Sequence, residues 1–152
     1  MSGACISRAD PNSVPGNTLQ VRVYIEDTDA GGVVFYANYL KFLERGRTEW
    51  LRRLGADQTA LLRDAQRLFV VRQLDIQYLR PARLDDLLTI RSELVKLGHA
   101  SLQFHQTANL GQGVDAPVLC RSTVTVCCVD AVTFKPAGLP DFLRNLLKKV
   151  QS

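Results

Sequence analysis

Several features that would name a chemistry outright are missing from this chain. There is no G-x-S-x-G elbow to present a nucleophilic serine to either of the two histidines, His99 and His105, which argues against a serine triad. The Gly111-Gln112-Gly113 pair lacks the third glycine and the following helix of a dinucleotide fingerprint. It reads as a turn, and no cofactor is expected. Cys5, Cys120, Cys127 and Cys128 show no C-x-x-C spacing, and three of them fall in or beside a strand-like segment. Buried thiols in a reducing cytosol are expected, with no disulfide and no metal site. No apolar run is long enough to cross a bilayer, and the N-terminal stretch lacks the basic end and apolar region of a secretory signal. The chain therefore reads as soluble and cytoplasmic, without membrane insertion. A net charge of +4 is spread among acids and forms no basic stripe, which argues against nucleic acid. It would favour a small anionic ligand such as one carrying phosphates.

What is present suits one domain, since 152 residues at 46% hydrophobic composition can close a single core. A polar leader over 1–17, rich in Pro, Gly, Asn and Ser, is expected to be mobile. The domain proper is expected over 18–152. Leu19, Val21, Val23 and Ile25 alternate with polar residues as in a half-buried strand, which should stop at the acids that follow. Tyr39, Leu40, Leu43, Trp50, Leu51 and Leu54 recur at helical spacing opposite Lys41, Glu44, Arg45, Thr48 and Arg52, and Gly55 supplies a stop. Gly46 falls on the apolar side, where its loss of helix propensity is best explained by close approach to a sheet. Glu49 lies at helical spacing from Arg53, which predicts a surface ion pair.

Residues 57–67 suggest a short second helix. Val70, Leu74, Ile76 and Tyr78 suggest a long strand broken at Arg80-Pro81-Ala82, where proline should cause a bend or bulge. Strands through Leu88 to Leu94 and Leu102 to Ala108 are joined by a tight turn at Leu97-Gly98-His99, and a looser turn leads to a strand over 118–129. That last strand is apolar on both faces and is expected to be central and covered on both sides. After Pro140, Phe142, Leu143, Leu146, Leu147 and Val150 mark a terminal helix. One long early helix followed by antiparallel strands makes this an α+β domain whose sheet packs on that helix.

The stretch joining the first strand to the long helix is the most informative: Glu26-Asp27-Thr28-Asp29-Ala30-Gly31-Gly32-Val33-Val34-Phe35-Tyr36-Ala37-Asn38-Tyr39. Ordinary turn chemistry does not require this mixture of acids, glycines and aromatics. Read on their own, Asp27 and Asp29 are open to two interpretations: acids that cap or solvate a loop, or a carboxylate placed deliberately beside a helix start.

This run, with Glu44-Arg45-Gly46-Arg47-Thr48-Glu49 and Pro81-Ala82-Arg83-Leu84-Asp85-Asp86, resembles the signature loop and central helix of the hotdog-fold thioesterases. Within them it is similar to the 4-hydroxybenzoyl-CoA thioesterase family and its Tol-Pal-associated acyl-CoA thioesterases. The likeness covers about residues 21–132. It implies a hotdog fold, in which a curved antiparallel sheet wraps a long central helix, and a homo-oligomer, dimer or homotetramer, with active sites at the subunit boundary. It also implies hydrolysis of an acyl-CoA or acyl-carrier-protein thioester. Asp29 would be the catalytic carboxylate, as general base or as nucleophile through a mixed anhydride, and the Tyr36 N–H would receive the developing oxyanion. Gly31 and Gly32 would let the backbone fold tightly between them. Val70 and Val71 match acyl-pocket positions of relatives, although a valine pair in a strand is ordinarily core.

Two positions bear on the subfamily. Tyr36 stands where many Tol-Pal-associated members carry His, and the arginines that the hydroxybenzoyl branch uses for coenzyme A phosphates are missing around Leu97-Gly98-His99-Ala100. Lys96 and His99 are the candidate substitutes there. Two other functions are distinguishable from hydrolysis: a non-catalytic acyl-thioester-binding or scaffold module associated with envelope or lipid-synthesis proteins, which would bind without turnover, and a hotdog dehydratase, which would hydrate an enoyl thioester.

Overall fold

The computed structural model describes residues 17–151. The leader expected over 1–17, and Cys5 with it, falls outside the described residues apart from Asn17. Five strands form one antiparallel sheet: β1 (Thr18–Arg22), β2 (Arg67–Tyr78), β3 (Leu87–Leu97), β4 (Ser101–Leu110) and β5 (Val118–Asp130). Their order is β1-β3-β4-β5-β2, so β1 and β2 are the edges. Three helices complete the fold: α1 (Asn38–Arg53), α2 (Gln58–Ala65) and α3 (Asp141–Val150). The architecture is the expected α+β hotdog arrangement.

Helix α1 buries Tyr39, Phe42, Leu43, Gly46, Trp50 and Leu51 against the sheet. One core cluster groups Trp50, Leu94, Leu102, Phe104 and Val124 with Leu143 and Leu147 of α3. The other groups Tyr39, Phe42 and Leu43 with Leu88, Ile90, Ala108 and Cys120. Gly46 sits where helix and sheet come closest: a Cβ there would lie 2.8 Å from Ile90 Cγ2 and 3.2 Å from Gln106 Nε2. No side chain fits without shifting the buried side chains of Ile90, Ser92 and Gln106. Gln106 is itself almost fully buried, and every polar atom of its amide is used. Its Nε2 donates to the Leu43 carbonyl and to Ser92 Oγ, each at 2.9 Å, and its Oε1 accepts from Arg47 Nη1 at 2.9 Å. Burial pushes the Arg47 guanidinium below its ordinary pKa.

Several expectations need correction. β1 ends at Arg22 and a 3-10 turn over Ile25–Asp27 follows, so Ile25 points to solvent although it fits the alternation. On α1, Leu40 is exposed while Phe42, absent from the expected apolar set, is buried. Glu49 pairs with Arg52 at 3.1 Å, and Arg53 donates to the Thr18 carbonyl. The expected break after β2 is present, since the strand ends at Tyr78 and the chain bends at Arg80, but β2 also carries an unexpected bulge between Val71 and Gln73. β5 is interior, but the middle strand is β4, and β5 is buried on both faces only over its second half, since Arg121 is exposed. Cys120, Cys127 and Cys128 are buried free thiols, as the cysteine spacing suggested.

Candidate active site

The acidic loop folds as a small hairpin. The Asp29 N–H donates to the Val33 carbonyl at 2.9 Å, and the Gly32 N–H returns to the Asp29 carbonyl at 3.0 Å. Gly32 has φ +78°, the left-handed conformation that follows a turn in a hairpin of this length and that glycine adopts without steric cost. At Gly31 a Cβ would lie 3.2 Å from Asp29 Oδ1. The carboxylate folds over that position and accepts the Gly31 N–H at 2.8 Å. Both glycines therefore shape the loop, by different means. Asp29 is exposed, and Oδ2 has no partner among the described residues.

Asp27 does different work. Its carboxylate accepts the Tyr24 N–H at 2.8 Å, and its carbonyl takes the Phe35 N–H and the Asn38 side-chain amide, each at 2.9 Å. The capping interpretation thus holds for Asp27, which ties the hairpin to the first residue of α1. The hairpin also docks on the segment after β2, through Val34 N–H to Ala82 O at 2.8 Å and a bridge between Val33 and Arg83.

Between hairpin and helix lies a turn over 35–38, closed by the Asn38 N–H to the Phe35 carbonyl at 2.8 Å. Tyr36 is inside this turn, two residues before α1 begins. Its N–H finds no acceptor among the described residues, as expected of the donors that lead into a helix. Its carbonyl accepts Tyr78 Oη at 2.9 Å. Val34, Tyr36, Tyr39, Tyr78, Leu79, Arg80 and Pro81 enclose a cleft of about 280 Å³. Larger depressions exist elsewhere, including one of about 410 Å³ lined by Asp75, His105 and Arg121 on the sheet face away from α1. Size does not select the site; the Tyr36 cleft is singled out because it adjoins the turn that leads into α1 and contains Tyr36, whose N–H has no acceptor among the described residues.

Asp29 and Tyr36 therefore stand at the two ends of one hairpin-and-turn unit, although Asp29 is not among the residues that line the cleft. The two valines are placed otherwise. Val71 is opposite Val126 and faces the helix side, so its neighbour Val70 faces the other way. Both lie near the start of β2, seven and eight residues from Tyr78, or roughly 25 Å along a strand. Lys96, near the end of β3, and His99, in the β3–β4 turn, lie at the end of the sheet remote from the hairpin, where the His99 ring packs on Gly138. Within one protomer, neither pair reaches the Asp29 loop. Sequence reasoning missed Tyr78, whose only signal was its place at the end of an alternating strand, and Asn38, whose position before the helical pattern could have marked it as a tether.

The chain matches the Thioesterase superfamily over residues 31–116, a span that begins within the hairpin, two residues after Asp29, and includes α1 and strands β2 to β4. The chain belongs to that superfamily. "Acyl-CoA thioesterase YbgC" of Haemophilus influenzae is 45% identical over 125 residues, 82% of this chain and 89% of that protein. "Acyl-CoA thioester hydrolase YbgC" of Escherichia coli O6:H1 is 46% identical over 121 residues, 79% of this chain and 87% of that protein. Among solved structures, a "Probable Thioesterase from Bartonella henselae" superposes with a TM-score of 0.75 at 37% identity, over 81% of this chain and 98% of that one. Membership in the thioesterase superfamily gives the hairpin-and-turn unit a chemical context that geometry alone leaves general.

Proposed function

We propose that this protein is a cytoplasmic acyl-CoA thioesterase that releases free acid and coenzyme A, with Asp29 as its carboxylate and the Tyr36 N–H as its oxyanion donor. The observation that carries the reading is the pairing, on one short unit, of a carboxylate oxygen, Asp29 Oδ2, and a backbone N–H, that of Tyr36, both without a partner among the described residues. Thioester hydrolysis needs both. Asp29 acts either by taking a proton from the water that attacks the carbonyl, or by attacking the carbonyl itself to form an anhydride that water then opens. In both routes the C–S bond breaks and coenzyme A leaves as a thiolate that takes up a proton. Whichever route operates, negative charge grows on the thioester oxygen, and the dipole end of α1 favours it there without a cationic side chain. The names of the YbgC relatives support coenzyme A as the carrier, and this reading extends the likeness to the Tol-Pal-associated subfamily. Buried, unpaired thiols at Cys120, Cys127 and Cys128 suit a reducing compartment.

The working form is a homo-oligomer, a dimer at least, built on β2. That strand is a twelve-residue edge, and Val71, Leu74 and Tyr78 on its helix-side face are all exposed. An edge so long and apolar calls for a partner. Antiparallel pairing with β2 of a second copy would set the start of one strand beside the end of the other. Val70 and Val71 of the partner subunit would then approach the Tyr36 cleft, which reconciles their assignment to the acyl pocket with their distance within one protomer.

Asp29→Asn is the decisive variant, because Asn keeps the Oδ1 acceptor for the Gly31 N–H and so preserves the turn. Turnover of acyl-CoA thioesters should fall by about 10²- to 10⁴-fold with the unfolding midpoint unchanged. Undiminished hydrolysis by the folded variant would remove Asp29 from the chemistry.

A further inference from the structure

We infer that Tyr78 is a positioning residue for the reaction: its hydroxyl holds the Tyr36 carbonyl and thereby aims the Tyr36 N–H at the thioester oxygen. The inference rests on the reading of Tyr36 as oxyanion donor and adds to it a residue on a different element.

The backbone at the helix entry shows why a tether is needed. Had α1 begun one residue earlier, the Leu40 N–H would bond to the Tyr36 carbonyl; it donates instead to Ala37 O at 3.1 Å. The Tyr36 carbonyl is thus released from the helix and taken by Tyr78 Oη at 2.9 Å. Residue 36 is consequently held on one side only. Its carbonyl is anchored to the sheet edge, while its N–H has no acceptor among the described residues, and Tyr36 and Tyr78 line the same cleft.

Tyr78 is well placed to act as a fixed post. Its backbone pairs with Cys120 at the last rung of β2, and the next two N–H groups, of Leu79 and Arg80, both donate to the Leu119 carbonyl. Its ring meets the Tyr36 ring edge-on at 6.1 Å and the Tyr39 ring at 5.5 Å. Tyr39 is held in turn, its Oη accepting the Ala82 N–H at 3.2 Å. Partial burial moves the Tyr78 hydroxyl above its ordinary pKa, so it stays a donor through the neutral range. Because Tyr78 ends the strand assigned above to the partner contact, the tether also links the β2 edge to the geometry of the oxyanion donor.

Tyr78→Phe keeps the ring contacts and removes only the hydroxyl. With the best substrate among acetyl-, butyryl-, palmitoyl- and benzoyl-CoA, kcat should fall about tenfold, KM should stay within about twofold, and the unfolding midpoint should not move. The second readout is the infrared stretch of the same thioester, 13C-labelled at its carbonyl and bound to Asp29→Asn. Its shift to lower frequency relative to free substrate should shrink when Tyr78→Phe is added. Unchanged kcat overturns the inference, as does a rise in KM alone, which would make Tyr78 an ordinary substrate contact. A loss of kcat with the carbonyl shift intact also overturns it. Absence of any shift in Asp29→Asn itself would instead remove Tyr36 as donor, a failure of the underlying reading that the Tyr78→Phe comparison cannot mimic.

Discussion

The helix side of the sheet divides into two regions that use similar residues to opposite ends. Under α1, Leu88, Ile90 and Leu94 of β3 and Leu102 of β4 are fully buried. On β2, Val71, Leu74 and Tyr78 occupy the same face at 54%, 37% and 43% exposure. Apolar side chains in both regions keep the alternation of a strand with one face inward, but among the described residues only the first is fully covered. The sheet's two edges repeat the contrast, since β1 has five residues and β2 twelve. A short edge offers few free backbone groups to another chain, and a long one offers many. The covered region is therefore closed within the protomer, whereas the open region is not, and the Tyr36 cleft lies at its margin.

The covered region should show the larger response to truncation. Phe104 is 1% exposed and meets Trp50 edge-on with ring centroids 5.3 Å apart. Phe104→Ala should cost about 3–5 kcal/mol of protomer stability, read from urea unfolding, because strand and helix cannot both collapse into the space. A loss under about 1 kcal/mol would mean that this region is not the closed core described here.

The seam between the regions carries the next effect. Cys120 is opposite Tyr78 on β2 and Ala108 on β4, and burial pushes its thiol from 9.0 up to about 11. The native state therefore retains a proton that the unfolded chain gives up first. Its contribution is complete below pH 9 and is lost as pH rises through about 11, a change on the order of 2–3 kcal/mol. Cys120→Ala should flatten that part of the alkaline stability profile. An equally steep decline in the variant would assign the loss to other groups, including Tyr39 and Tyr78, whose pKa values burial also raises.

The covered region was also the more legible in sequence. The period of α1, its stop at Gly55 and the close approach at Gly46 follow from spacing and propensity, because one face of a helix against a sheet imposes a strict pattern. The β3–β4 pair followed for the same reason. Legibility failed where a side chain or backbone group serves a partner remote in sequence. Nothing local marks the bulge at Arg72, the burial of Gln106 beneath Leu43, or the departure of Ile25 from the alternation once Asp27 caps a turn. The hairpin was readable as a special loop, and its glycines as necessary. The tether from Tyr78 to Tyr36 joins residues 42 positions apart and leaves no trace in periodicity. The valine pair shows the remaining limit, since a match to acyl-pocket positions says nothing about which protomer the pocket belongs to.

The smallest effect on protomer stability is expected at the open region. Leu74 is 37% exposed, and a lysine there can lay its methylenes over the same apolar surface and carry its ammonium to solvent, so Leu74→Lys should cost no more than about 1 kcal/mol for an isolated protomer. Its effect on assembly should be much larger, because two such lysines would face a strand pair that needs apolar contact. Sedimentation should show the proposed dimer giving way to monomer, with circular dichroism unchanged. If Val70 and Val71 of the partner subunit line the Tyr36 cleft, turnover should fall together with the dimer, and raising the protein concentration should restore part of it. A dimer that survives Leu74→Lys would move the partner contact off β2. A monomer with full turnover would keep the contact there but make each protomer's site complete in itself, so that the exposed face of β2 would serve assembly alone.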